Sequence, residues 1–550
     1  MERNRGKTKN ASSRYNRVMP QDFQPLSAAI GILLQEISFS AWISSPGSRN
    51  APLLHAFSSL KCPNAIILDE RSAGYFALGT SIRSGKPVIL VCTSGTAALN
   101  YAPAVAEAFY QRVPLLVITA DRPKNLIDNG HGQSIRQENI YEGHLRASSL
   151  LNPEKSIQYN TDKIFNSLSF LKDGPVHINV PIKEPLYEAS VSLNISSFGR
   201  ISRVKLVNKE FLKIPDWISK AKHPVLIVGQ WNPEWGKIDD IVVNFRFKGW
   251  LVVAEHLSQL SNLNAISLDD VLMDNTQIPF DAVVTVGGAW ISKKSKNRLN
   301  GIQHMHIGPS SPHPDMFGNL KFTLELASKK GLKYLFDSIP KLDAAWLKNW
   351  SPRLYKETDQ WSDLWVNEKI SKYGLKNWDI HWANSSSVRY GIHSWSSGGW
   401  NQKGQTHYSN RGTSGIDGCS STAVGSAWIS GKRTLLITGD LAFFYDSNAF
   451  LNNHVSPGLK VVVLNNHGGD IFRRLPNAID SDIFETHLSY KHNRSIKNLV
   501  SYTGLEYFYV SKIDQWEIVW KKFIESPNSS VLEVITDSST NDKMWNSRFK

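Results

Sequence analysis

Short β-branched runs recur along the chain, each bounded by turn residues and followed by helical periodicity. Residues 64–69 (NAIILD), 87–92 (PVILVC), 114–119 (PLLVIT) and 175–180 (PVHINV) form a first set. A second set is 224–229 (PVLIVG), 250–254 (WLVVA) and 282–287 (AVVTVG); a third is 434–438 (TLLIT), 460–464 (KVVVL) and 530–535 (SVLEVI). Continuous apolar runs suit strands covered on both faces, the environment of a parallel sheet. Strands alternating with helices read as an α/β fold. The pattern predicts three doubly wound parallel-sheet domains, over 21–195, 206–345 and 346–550, after a basic tail at 1–20 and with the polar stretch Ser196–Lys205 as a linker. Residues Ala73 to Gly79, rich in small side chains, read as a helix. Trp346 and Trp350, and Trp361 and Trp365, stand at i,i+4 spacing, which predicts that each pair shares a helix face. Core packing is expected of them rather than base stacking, because no Gly-rich or Arg-rich context accompanies them.

A length of 550 residues fits about three domains, and 41% hydrophobic with 20% charged residues is ordinary for a globular chain. Cys62, Cys92 and Cys419 are odd in number, widely spaced and form no CxxC pair, which argues against a disulfide framework or a zinc site and fits a reducing cytoplasm. No uninterrupted apolar stretch approaches the ~18 residues of a membrane span. The first residues carry Arg3, Arg5, Lys7, Lys9, Arg14 and Arg17 without an apolar core, so they read as a solvated tail, with a transit peptide as the alternative and Met19 as an alternative start. The net charge of +14 fits either nucleic-acid binding or attraction of small anions. The cations outside the tail are scattered and no nucleic-acid motif is present, which favours small anions.

The strongest chemical signal is Gly439-Asp440-Leu441 directly after the strand TLLIT, followed by Asn465-Asn466 directly after KVVVL. A carboxylate and an amide oxygen at strand ends suit a hard cation such as Mg2+, which takes few protein ligands and completes its shell with water and phosphate oxygens. The pair implies a diphosphate ligand at the carboxyl ends of parallel strands. Read alone, the two dipeptides are ordinary turns. Glu70, at the end of NAIILD, reads as a helix cap or ion pair in isolation. Beside a cation–diphosphate site it suits activation of thiamine diphosphate (ThDP), through a carboxyl with raised pKa against the aminopyrimidine ring. Ser48-Arg49, Arg122, Arg389 and Arg411 flank Gly-rich or strand-end turns, where arginines clamp carboxylates.

Taken together, SPGSRNAPL (45–53), LDERSAGYFALG (68–79), CTSGTAALNYAPAVAEAF (92–109), ITADRP (118–123), GQSIRQ (132–137), SNRGTSGIDG (409–418), GDLAFFYDSNAF (439–450) and NNHGGDIFRRLP (465–476) closely resemble the 2-succinyl-5-enolpyruvyl-6-hydroxy-3-cyclohexene-1-carboxylate synthases of menaquinone and phylloquinone biosynthesis. The resemblance implies three α/β domains of the ThDP-dependent type: pyrimidine-binding, central and diphosphate-binding. It implies decarboxylation of 2-oxoglutarate and addition of the resulting succinic-semialdehyde carbanion to isochorismate. Glu70 would activate the cofactor, Ile416 would hold it bent, and Asp440, Asn466 and the carbonyl of Gly468 would hold Mg2+, with Mn2+ able to replace it. Gly439 and Leu441 flank that ligand. Ser48, Arg49, Gln133, Ser385, Arg389, Arg411, Ile471 and Leu475 fall on positions used near cofactor or substrate, with Arg122 beside them. A homodimer or homotetramer is implied, because such enzymes build the site from two subunits. Three departures stand out: Lys293 and Lys294 match a basic pair in which Arg is expected, Arg474 replaces an aliphatic residue, and His467 replaces a smaller polar one. Other ThDP-dependent decarboxylases or acetolactate-synthase-like carboligases, and a non-catalytic binding protein on the same fold, are the competing readings.

Overall fold

The computed structural model describes residues 25–187, 213–271, 280–309, 315–350, 356–400, 403–474 and 482–549. The tail, the Ser196–Lys205 linker and Leu475 lie outside them.

Three sheets make up the described chain. Strands β1–β6 are Ala41–Ser44, Asn64–Ile66, Val88–Cys92, Leu115–Asp121, Ala147–Leu150 and Val176–Pro181. Strands β7–β11 are Pro224–Val228, Leu251–Ala254, Ala282–Val286, His304–Ile307 and Leu320–Leu324. Strands β12–β17 are Asp379–Trp382, Thr406–Ser409, Thr434–Gly439, Leu459–Asn465, Glu506–Val510 and Ser530–Ile535. The spatial orders are β2-β1-β3-β4-β6-β5, β11-β10-β9-β7-β8 and β13-β12-β14-β15-β17-β16. Neighbouring strands run parallel, as in β3 with β4, β7 with β9 and β14 with β15. The doubly wound α/β expectation therefore holds. Parallel strands need long crossovers, and these carry helices onto both faces, which is why VILVC, AVVTV and KVVVL are buried at every position.

Two expectations need correction. The apolar run 64–69 is a strand only over Asn64–Ile66, because Asp69 already caps the next helix by accepting the Ser72 N–H at 3.0 Å. The tryptophan pairs do meet, with ring centroids 6.2 Å apart for Trp346–Trp350 and 5.2 Å for Trp361–Trp365, but not on a shared α-helix face. The first pair spans the 3-10 turn Ala345–Asn349, and Trp361 precedes the Asp363–Lys372 helix.

The hydrophobic cores ignore the sheet boundaries. Tyr75, Phe76, Leu78 and Tyr101 from the first sheet's helices pack in one cluster with Ala423, Val424, Leu436 and Phe443 of the third. Trp231, Trp250 and Leu257 of the second share a cluster with Trp382, Trp395 and Leu435 of the third. The first junction rests on two helices, Glu70–Ser84 and Cys419–Ser430, that cross with almost no side chain between them. A Cβ on Gly79 would lie 1.9 Å from the Thr422 carbonyl oxygen, and one on Gly425 2.0 Å from that of Phe76. Only glycine permits that approach. Gly79→Ala is therefore expected to cost about 1–3 kcal/mol through forced separation of the helices, visible as a lower midpoint of thermal unfolding.

Candidate active site

Parallel sheets put all carboxyl strand ends on one edge, and the sequence-predicted residues gather on two such edges. On the first sheet, β1 leads into Ser48 and Arg49, the segment after β2 into Glu70, and β4 into Arg122. Ser48 is exposed and Arg49 is buried. The Arg49 guanidinium donates to the Ile182 carbonyl at 2.6 Å and to Glu184 Oε1 at 2.7 Å, so it also braces the segment after β6. Gln133 is exposed, with φ 52°, and its carbonyl accepts the Ser94 hydroxyl at 2.9 Å. Arg122 is partly buried, and its Nε has no hydrogen-bond partner among the described residues. Glu70 is the first residue of its helix and half-buried; burial raises its carboxyl pKa, against its own backbone N–H and with the charge of Asp69 adding.

The third sheet supplies the other set. Asn384, after β12, donates to the carbonyls of Asn410 at 2.7 Å and Gly415 at 2.6 Å and accepts Arg411 Nη1 at 2.8 Å, which binds the NRGTSGIDG loop to the sheet edge. Ser385 follows with φ 75° and ψ −124°, a strained backbone for a residue with a side chain, and its carbonyl accepts Arg389 Nη1 at 2.5 Å. Burial, with Arg411 and Arg474 beside it, pulls the Arg389 guanidinium down to about 10. Ile416 packs on Ala383, Cys419 and Ala442. Gly439 ends β14, and Asp440 is buried, its Oδ1 accepting the Leu441 N–H at 2.6 Å and its Oδ2 the Gly468 N–H at 3.0 Å. Asn466 Nδ2 is pinned on Asp363 Oδ2 at 3.1 Å, leaving its buried Oδ1 without a partner among the described residues. Gly468, at φ 156°, sits where a Cβ would meet the Ser489 carbonyl oxygen at 2.8 Å. Ile471 lies in the short turn Asp470–Arg474. Arg474 donates to Ser386 Oγ at 3.0 Å and to the Tyr390 hydroxyl at 2.8 Å, and its guanidinium carbon lies 3.7 Å from the centroid of the Trp545 ring.

The central sheet adds Glu255, just after β8. It accepts the N–H groups of Ile291 at 2.8 Å and Ser292 at 2.9 Å, at the start of the Lys293–Arg298 helix. Full burial raises it to about 7; those two N–H groups oppose the shift, Asp269 adds to it, and Arg411 opposes it. Lys293 is exposed and Lys294 partly so, while burial lowers Lys296, with Glu255 opposing and Arg411, Arg389 and Lys293 adding. Lys296 is thus a third lysine of this helix, half-buried beside the expected pair Lys293 and Lys294.

Among the described residues no hydrogen bond or ion pair joins Ser48, Arg49, Glu70, Arg122 or Gln133 to Ser385, Arg389, Arg411, Asp440 or Asn466. Other groups link the two edges: Tyr75 donates its hydroxyl to Asp417 at 2.9 Å and Arg71 donates to the Tyr445 carbonyl at 2.7 Å, and Glu107 is a buried carboxylate on the first sheet's helix Ala102–Gln111. It accepts the backbone N–H groups of Gly412 at 2.7 Å and Thr413 at 2.6 Å.

Comparison with known proteins fits this geometry. Residues 26–140 match the family model described as thiamine pyrophosphate enzyme, N-terminal TPP binding domain. A protein of Flavobacterium psychrophilum named 2-succinyl-5-enolpyruvyl-6-hydroxy-3-cyclohexene-1-carboxylate synthase is 35% identical, over 92% of this chain and 95% of its own length. The chain belongs to that synthase family. It is a ThDP-dependent enzyme. A synthase of the same name from Bacteroides thetaiotaomicron is 30% identical over 90% of this chain and 92% of its own. In fold, the chain is similar to the Rhodococcus jostii ThDP-dependent 4-hydroxybenzoylformate decarboxylase, with a TM-score of 0.73 at 15% identity over 93% of this chain and 99% of that one. The residues present fit the cofactor of the family: a half-buried carboxyl on one edge, and on the other a buried carboxylate and an amide oxygen without a partner among the described residues.

The structure adds groups to which the sequence assigned no role. Asp363, His492 and Glu107 each hold a site residue or its loop from a distant segment, and Glu255 holds the start of the helix that carries Lys293 and Lys294. Among the described residues no helix is long and apolar enough to cross a membrane, and Cys62, Cys92 and Cys419 are unpaired.

Proposed function

We propose that the chain catalyses ThDP-dependent decarboxylation of 2-oxoglutarate and joins the remaining four-carbon unit to isochorismate, as a step of menaquinone biosynthesis in the cytoplasm. The observation that carries this reading is the anchoring of three guanidinium groups on three consecutive residues after β12: Arg411 on Asn384 Oδ1 at 2.8 Å, Arg389 on the Ser385 carbonyl at 2.5 Å and Arg474 on Ser386 Oγ at 3.0 Å. Cations brought together against their mutual repulsion suit substrates rich in carboxylates. Asp440, the Oδ1 of Asn466 and the Gly468 carbonyl would hold Mg2+ or Mn2+, a set poor in protein ligands as Mg2+ prefers. ThDP supplies the chemistry that cleaves the bond to the carboxylate and forms the new carbon–carbon bond. Glu70 holds or gives up a proton at the aminopyrimidine side, Ile416 shapes the apolar wall, and the arginines with Ser48, Gln133, Lys293 and Lys294 orient the acids. The domain limits read from the sequence, 21–195, 206–345 and 346–550, assign these tasks to pyrimidine-binding, central and diphosphate-binding units.

A second copy of the chain completes the site in this reading. Around Glu70 the surface exposes Ile66 (57%), Leu68 (75%), Tyr445 (53%) and Leu451 (52%). Apolar exposure on that scale beside a half-site suits burial against a partner in a homodimer or a homotetramer built from it. The test is a coupled assay with ThDP and Mg2+, following isochorismate absorbance and CO2 release. Isochorismate loss that requires 2-oxoglutarate, ThDP and Mg2+ is expected. CO2 release indifferent to isochorismate would move the chain to another decarboxylase or carboligase chemistry.

A further inference from the structure

Asp440 is gripped by donors from three places. Besides Leu441 N–H on Oδ1 and Gly468 N–H on Oδ2, the imidazole Nε2 of His492 lies 3.1 Å from Oδ2. The side chains of His492 and Asp440 are 2% and 3% exposed, so water does not compete for the contact. The other ring nitrogen, Nδ1, accepts the Arg494 N–H at 3.1 Å. A ring nitrogen that accepts carries no proton, so the hydrogen-bond partners assign the imidazole proton to Nε2, aimed at the carboxylate. The ring cannot swing away: Phe444 meets it edge-on at 5.3 Å, His467 at 5.8 Å, and His492 N–H donates to the His467 carbonyl at 3.1 Å.

A carboxylate offers about four lone-pair directions. The three donors take three of them and leave one for a cation. We infer that His492 is a positioning residue, which fixes the plane of Asp440 so that its remaining lone pair meets the cation. Asp363 does the matching work on Asn466, by pinning Nδ2 and freeing Oδ1. The inference rests on the cation reading given above. Groups behind a metal ligand hold its orientation and tune its basicity, and their loss weakens metal affinity by roughly 10–100-fold.

Two variants separate the donor from the fold. His492→Asn keeps an acceptor for the Arg494 N–H but falls short of Asp440; His492→Gln places an amide donor near the Nε2 position. The readout is Mn2+ affinity, measured by electron paramagnetic resonance titration of the full chain with saturating ThDP, beside the melting temperature of the metal-free protein. H492N is expected to bind Mn2+ about tenfold more weakly or worse, and H492Q to recover most of the loss at a similar melting temperature. Folded H492N that binds Mn2+ like the unaltered chain overturns the inference, as does H492Q as weak as H492N. Should H492N not fold, H492F makes the same comparison with H492Q. An unaltered chain that binds no Mn2+ with ThDP present overturns the cation reading itself, a different result from either.

Discussion

Glu70→Gln is expected to leave the chain folded and to lower turnover by about 10²–10⁴-fold, the range of a lost general acid–base group. The fold does not lean on the Glu70 charge, because the helix it begins is capped by Asp69 through the Ser72 N–H. What the substitution removes is the proton. The Glu70 carboxyl is held above its ordinary value by burial, opposed by its own backbone N–H and helped by Asp69. Its proton is therefore retained to a higher pH than that of an exposed carboxyl, as a group that must hold and release one requires. Glutamine keeps the shape and some of the hydrogen bonding but cannot cycle a proton. Steady-state turnover, with ThDP affinity and melting temperature as controls, decides the matter. Turnover like that of the unaltered chain would remove Glu70 from the chemistry.

Arg411→Ala is expected to lower kcat/KM for the acceptor by about 10²–10³-fold, within the 2–5 kcal/mol of a truncated buried charge contact, while ThDP affinity changes little. Burial lowers the Arg411 guanidinium while Glu255 and Glu107 hold it up, and Nη1 donates to Asn384 at 2.8 Å. Its Nε is buried without a partner among the described residues. A guanidinium held by acidic neighbours yet keeping an unspent donor is set for an anionic ligand rather than for the fold alone. Kinetics with the acceptor varied, beside a ThDP titration, separate the two. Collapse of ThDP affinity would place Arg411 on the cofactor instead.

The apolar runs were enough to count three parallel sheets, because strands buried on both faces have little freedom in composition. The strands they missed are β1 (AWIS), an interior strand only four residues long, the edge strands β11 (LKFTL) and β16 (EYFYV), and four polar-rich ones. β5 (ASSL), β10 (HMHI), β12 (DIHW) and β13 (THYS) carry Ser, His, Asp or Thr at positions where periodicity needs aliphatic residues. The site was legible where a motif joins a strand end to its chemistry, as in Gly439-Asp440 and Asn465-Asn466. It was illegible where the partner comes from elsewhere in the chain. Nothing in DLWVNE marks Asp363 as the anchor of Asn466, nor does KHN mark His492 as a donor to Asp440. The strain at Ser385 was hidden for a related reason: a positive φ is advertised by glycine, and here a serine adopts it. Lys293 and Lys294 match the basic pair by adjacency, while burial on the same short helix, which also lowers the Lys296 amine, leaves no mark in the local sequence.

Three sheets suggest three interchangeable parts, but the cores contradict that picture. Tyr75 and Phe76 lie in the same apolar cluster as Val424 and Phe443, and Trp231 in the same cluster as Trp395. Each interface is half a core rather than a surface, and the glycine crossing at Gly79 and Gly425 tolerates no mismatch. A gene recombined with a relative at a sheet boundary would inherit one half of each core without its complement. Substitutions at these junctions are therefore expected to couple across the boundary, so the places between sheets, usually the permissive ones in a multidomain chain, are here intolerant of single changes.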